Sequence, residues 1–177
     1  RYGAGAVTGT AECSYGGYMS VSQNVGCQKT GTILHEGSHG LGVIGYTDWV
    51  NSIYRTNGDR GYWLGPRVDR VVQFLENSAT AKLNGDTQHM WPYGINGASE
   101  DSGSKILYRG NALIVEALSE DGVRHDVDFL KASGFNMMRK HIKVESERFY
   151  ELCDQMGMLV LQDMPSGGDL PSDRWAR

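Results

Sequence analysis

The sequence predicts an α/β composite: a mainly helical, loop-rich domain over residues 1–121, followed by a βαβ segment over 122–177. Three observations carry this. Glycine, Asn, Ser and Thr are frequent in the first two thirds, whereas the last third is rich in Met. Apolar periodicity is sparse before the Asp121-Gly122 pair and strong after it. Beyond that pair, helix and strand patterns alternate with glycine at each helix-to-strand junction, which is the grammar of parallel βα units.

The elements follow in chain order. Residues 1–30 read as loop and short strands, broken by glycine throughout. A helix is expected over 30–42, and 43–65 reads as irregular with a turn at Asn57-Gly58-Asp59. Pro66 suits the first turn of a helix, and Val68, Val71, Val72 and Leu75 recur at three and four residues to give a helix over about 66–78. Asn84-Gly85-Asp86 reads as a second turn, and 87–104 as an aromatic, glycine-broken connection. A helix over 105–119 should close at Asp121-Gly122. A new helix then runs to Gly134, a short strand covers Asn136 to Arg139, Ser146 caps a helix ended by Gly157, and Met158 to Leu161 forms a second strand. The tail from Ser166 reads as a fraying end.

Bulk properties exclude several functions. A net charge of -4 argues against a nucleic-acid surface, which should be basic. No stretch approaches 18 apolar residues, so nothing is expected to span a membrane. The start, Arg1-Tyr2-Gly3-Ala4-Gly5, lacks the basic-then-apolar order of a signal peptide. Of the three cysteines, Cys13 and Cys27 are either a disulfide pair of an exported protein or free thiols, and Cys153 reads as a buried thiol.

The sharpest chemical signal is His35-Glu36-Gly37-Ser38-His39. On a helix, positions i and i+4 share a face, so His35 and His39 would offer two imidazoles to one Zn²⁺, with Glu36 as general base to its water. The competing reading is a helix with two hydrogen-bonded histidines and no metal. The run through Gly40-Leu41-Gly42 resembles the start of the extended metzincin motif, whose third ligand position is here Gly45, which cannot ligate. The third ligand is therefore expected from Glu76 or His89, with Asp48 a further candidate. Residues 1–121 as a whole resemble an uncharacterised family of secreted bacterial proteins with metallopeptidase-like character, through the stretches from Tyr62 to Asp69 and Gln88 to Asn96. That resemblance implies a zincin-like domain, a peptide substrate, and a secreted or periplasmic location. The run His89-Met90-Trp91-Pro92-Tyr93 reads either as cleft lining or as a core-capping aromatic loop.

The stretches from Asp128 to His141 and from Glu147 to Pro165 resemble glycoside hydrolase family 2, the β-galactosidase type. The resemblance implies a helix, the second strand, the next helix and the third strand of a (β/α)₈ barrel, whose sites lie at the C-terminal strand ends. It places Arg139 and His141 at the border of a sugar site and Asp163 at an acidic strand-end position. The plainer reading of Arg139, Lys140, His141 and Lys143 is a solvated basic loop paired with Glu145 and Glu147. Retaining glycosidases require two carboxyls about 5–5.5 Å apart, and the resemblance implies that both come from later strands. Three functions follow: a zinc-dependent peptidase-like domain fused to a partial family 2 barrel, a β-galactosidase-type fragment acting on carbohydrate, or a catalytically inactive composite.

Overall fold

The computed structural model describes residues 9–14, 18–43, 55–58, 60–97 and 99–165. The chain divides into two compact units, Arg1–Gly122 and Val123–Arg177.

The first unit opens with an antiparallel hairpin, β1 (Ala11–Ser14) on β2 (Tyr18–Val21), with Ala11 opposite Val21. Helix α1 (Thr30–Gly40) follows. Its N-cap residue, Lys29, makes no side-chain cap. Instead Asp101 accepts the Gly31 N–H at 3.1 Å, and the Tyr108 hydroxyl fixes that carboxylate at 2.7 Å. A distant carboxylate thus satisfies one of the orphan donors that every helix start leaves.

Strands β3 (Arg55–Asn57), β4 (Arg60–Trp63), β5 (Asn84–Gly85) and β6 (Met90–Trp91) form a four-stranded antiparallel sheet in that order. The mainly helical, loop-rich expectation for this region is corrected here. The strands have two to four residues, too short to display a period of two, so 43–65 and 87–104 read as irregular. What holds them is the buried Arg55 guanidinium. It donates to the Asp86 and Gly61 carbonyls at 2.8 Å each and to the Gly85 carbonyl, and it lies 3.8 Å over the Trp63 ring. Asn84-Gly85, expected as a turn, is a strand because Gly85 lies flush against Trp63.

Helix α2 (Pro66–Glu76) buries Val68 and Val72 against Trp63, Leu83, Met90, Ile114, Ala117 and Leu118, the core of the unit. Val71 and Leu75 pack on its margin, as the apolar spacing implied. Asn77 in the left-handed region ends the helix. Its start is capped from outside: the Asp121 carboxylate accepts the Arg67 N–H at 3.1 Å and the Val68 N–H at 3.0 Å.

That cap explains a second correction. Asp121-Gly122 does not end a helix; α3 runs without a break over Lys105–Ala132. Asp121 faces α2, and an interior glycine costs only about 1 kcal/mol of helix propensity, which a 28-residue helix absorbs.

In the second unit, β7 (Met137–Lys140) and β8 (Leu159–Gln162) pair in parallel, Met137 opposite Leu159, with helix α4 (Glu147–Met156) between them in sequence. Gly134 and Gly157 take φ of +89° and +67° where each helix gives way to a strand. Val127, Phe149, Cys153 and Met158 form the core, with Met138 and Val160 packed on it. Met137, Leu159 and Leu161 alternate to the exposed face. All three cysteines are free thiols, and burial pushes the Cys153 thiol pKa up.

Candidate functional site

Helix α1 does bring His35 and His39 together, their Nε2 atoms 3.1 Å apart. The hydrogen bonds determine who donates. His35 Nδ1 lies 3.1 Å from the Gly94 carbonyl, which can only accept, so Nδ1 carries the proton. Neutral His35 then has only a lone pair on Nε2, and His39 Nε2–H donates to it. Burial depresses the His35 pKa, the Gly94 carbonyl opposes that, and the neighbouring His39 and His89 add to it. His89 stacks on His35 with centroids 5.9 Å apart, but its Nδ1 engages the Asp86 carboxylate at 3.1 Å.

The other predicted ligands go elsewhere. Glu36 faces away from the imidazoles, toward Glu12 and the Cys13 backbone; burial and then Glu12 raise its pKa. Glu76, at the exposed end of α2, faces the Tyr93 hydroxyl, whose pKa rises through burial and this carboxylate. Gly45 and Asp48 lie outside the described residues. Among the described residues no group of three or more His, Cys, Asp or Glu side chains could hold a metal ion. The expectations of Zn²⁺, of a zincin-like domain and of a zinc-dependent peptidase are therefore corrected. His35 is bonded at both ring nitrogens, and Glu36, one residue on, projects from a different face of the helix.

In the second unit the parallel pairing sets the C-terminal ends of β7 and β8 side by side. Asp163 follows β8, and its N–H continues the ladder to the Lys140 carbonyl at 3.1 Å. Its carboxylate takes Arg139 Nε at 3.1 Å and Arg139 Nη2 at 2.7 Å, and His141 Nδ1 lies 3.0 Å from the same Oδ2. Arg139 first, and His141 second, hold the Asp163 carboxyl below the usual aspartate range, and the same contact raises the Arg139 pKa. So Arg139 and His141, two residues apart, and Asp163, 22 residues further on, form one cluster at the strand ends, with the Arg139 and His141 side chains exposed. Lys143 pairs with Glu145 at 3.1 Å, and Lys140 pairs with the same carboxylate. Below the cluster, Gln162 accepts from the Tyr150 hydroxyl and donates to the Lys143 carbonyl at 2.9 Å, tying the loop after β7 to β8. Sequence reading missed Tyr150 and Gln162; neither has a motif, and only the strand register pairs them with that loop.

Residues 110–169 match the sequence model of glycosyl hydrolases family 2, TIM barrel domain. The match begins at Gly110, inside α3, and spans the whole β7–α4–β8 unit and the Arg139–Asp163–His141 cluster. The chain is also similar to a β-galactosidase of Alteromonas mediterranea, 30% identical over 90 residues, covering 46% of this chain and 9% of that protein. The chain thus corresponds to about 9% of the length of the curated relative it matches. No solved structure matches the chain. Among the described residues no helix is long and apolar enough to cross a membrane.

Proposed function

We propose that the second unit is part of a family 2 glycoside hydrolase barrel, and that its strand-end cluster contacts a sugar of the β-galactoside class. The observation that carries this is the coincidence of the family match over 110–169 with a parallel strand pair whose C-terminal ends converge on Arg139, His141 and Asp163. Active sites of (β/α)₈ barrels sit at that end of the strands.

The roles follow from the bonding. Asp163 is held by Arg139 and His141, so it is a positioning carboxylate rather than a proton donor. With both forks of Asp163 directed at Arg139 Nε and Nη2, the guanidinium has a fixed plane and keeps Nη1 to offer to a hydroxyl. His141, 70% exposed at its side chain, turns one nitrogen to Asp163 and keeps the other for a second hydroxyl. Glycoside hydrolysis by retention needs two carboxyls about 5–5.5 Å apart, and Asp163 supplies one already engaged carboxyl. The cluster therefore binds and orients.

The test is an NMR titration of the full chain with methyl β-D-galactopyranoside. Shifts should concentrate on the Arg139 side-chain N–H groups and the His141 ring. They should vanish in Asp163→Asn, which keeps an amide in place but releases the charged fork. Shifts spread over the surface, or unchanged in Asp163→Asn, would refute the assignment.

A further inference from the structure

The turn that carries His141 to Asp163 is held by side chains from beyond it. Ile142, the residue after His141, adopts φ +55°. A β-branched residue seldom occupies that left-handed region, and one that does must be fixed there by its surroundings. Packing supplies little of this, since Ile142 is 45% exposed and Val144 is exposed as well.

Hydrogen bonds from two side chains hold the turn. Gln162 Nε2 donates to the Lys143 carbonyl at 2.9 Å. Gln162 Oε1 accepts the Tyr150 hydroxyl, and the same phenol oxygen accepts the Glu145 N–H at 3.1 Å. The end of β8 thereby grips the chain on both sides of His141. On one side the Asp163 N–H bonds the Lys140 carbonyl at 3.1 Å, and on the other Gln162 bonds the Lys143 carbonyl. Between these two anchors the imidazole lies with Nδ1 3.0 Å from Asp163 Oδ2. On a loose loop, the entropy of ordering the backbone would cancel most of the worth of so exposed a contact; on a loop already fixed it does not. The Tyr150 ring has a separate task, packing edge-on against Phe149 with centroids 5.3 Å apart. The ring serves the core and the hydroxyl serves the turn, so Tyr150→Phe separates the two.

We infer that Tyr150 and Gln162 are positioning residues of the strand-end site: they fix the 141–146 turn so that the His141 imidazole rests on Asp163 and keeps its second nitrogen for a ligand. Their effect on a sugar rests on the reading of the cluster as a sugar site; their placement of His141 does not.

The test follows the Asp163 carboxyl of the full chain by ¹³C NMR, because Arg139 and, after it, His141 hold that carboxyl low. Tyr150→Phe and Gln162→Met, the latter of similar length without the amide, should each raise the titration midpoint toward its value in His141→Ala. Added to His141→Ala, either should raise it no further. A lower melting temperature with the midpoint unchanged, which a merely stabilising role would give, overturns the inference. So does a shift that adds in full to that of His141→Ala. Titration with methyl β-D-galactopyranoside gives a second readout: each variant should bind roughly fivefold more weakly than the parent, the scale of one hydrogen bond, and unchanged affinity overturns the inference too. A parent that binds no sugar sinks the strand-end reading alone, and the carboxyl midpoints still decide the positioning.

Discussion

Removing the carboxylate of Asp121 should destabilise the first unit by about 2 kcal/mol, because α2 has no other cap. Its own N-cap, Gly65, has no side chain, and Pro66 at the next position brings no N–H. The Arg67 and Val68 amides therefore depend on Asp121 at 3.1 and 3.0 Å. Losing an N-cap costs about 0.5–2 kcal/mol, and leaving a buried donor unmet about 1–3 kcal/mol. The two overlap here, since Val68 is fully buried and Arg67 only partly. For a unit of this size about 2 kcal/mol lowers the melting temperature by roughly 8 °C. Asp121→Asn keeps an acceptor oxygen and should lose well under half as much. Burial raises the Asp121 pKa. A carboxylate whose folded pKa is raised loses stability as pH rises through that pKa, so the charge is a net burden and the acceptor geometry is the benefit. Gly65 completes the test: a Cβ there would overlap the Asp121 carboxylate. Gly65→Ala should cost about 1–3 kcal/mol in the native background and little in Asp121→Ala. Thermal and guanidinium denaturation of the four proteins of this cycle, together with Asp121→Asn, provides the assay. An Asn variant as unstable as the Ala variant, or additive effects of Gly65→Ala and Asp121→Ala, would refute the cap.

Three further outcomes are expected. Gly122→Ala should leave stability unchanged or raise it by up to about 1 kcal/mol, since α3 is helical there and nothing lies within 4 Å of the added Cβ; Gly110→Ala in the same helix should lower it, because the new methyl meets the Tyr93 ring and about 1–3 kcal/mol of overpacking exceeds the propensity gain. Opposite signs in chemical denaturation check both. The Asp163 carboxyl, followed by ¹³C NMR, should titrate below a free aspartate and move upward in Arg139→Ala; because the folded pKa is depressed, its contribution to the second unit is present above the ordinary aspartate pKa and is lost as pH falls through the folded value. Arg55→Lys should cost about 3 kcal/mol, since an ammonium cannot span the Asp86, Gly61 and Gly85 carbonyls as the guanidinium fork does; a lysine variant as stable as the parent would show the fork to be dispensable.

What was legible from sequence follows from where each signal resides. The stripe of Val68, Val71, Val72 and Leu75 is local and periodic, so α2 and its core face could be read directly. So could β7, α4 and β8, whose boundaries are set by left-handed glycines at 134 and 157. The pairing of His35 with His39 follows from helix geometry alone and is present. Its chemistry was not legible. The Gly94 carbonyl that fixes the His35 proton lies 59 residues away, and a backbone oxygen leaves no trace in side-chain pattern. Strands of two residues, such as β5 and β6, carry no period at all. Their register, which places Tyr62, Asn84 and Trp91 in one row, is a matter of ladder pairing between distant segments, with the Arg55 guanidinium bonded to the Gly85 and Asp86 carbonyls beside it.

The end of the first unit shows how a local signal can mislead. Asp-Gly after a helical pattern commonly marks a stop, because Asp competes for backbone donors and Gly favours turns. At Asp121-Gly122 the competition is real but is directed at another helix: the carboxylate satisfies amides of α2 rather than those of its own chain neighbours. That frees the backbone at 121–122 to continue helically, and α3 proceeds to Ala132. The family match begins at Gly110 rather than after Gly122, so similarity to a glycosyl hydrolase barrel enters the chain where α3 is still packing Ile114, Ala117 and Leu118 into the first unit's core. Within the first unit, Ile114, Ala117 and Leu118 pack with Val68, Val72, Trp63 and Met90; within the second, Val127 packs with Phe149, Cys153 and Met158. A change of composition at residue 122 records which core the side chains enter. It does not record where the backbone changes element, and the two need not coincide.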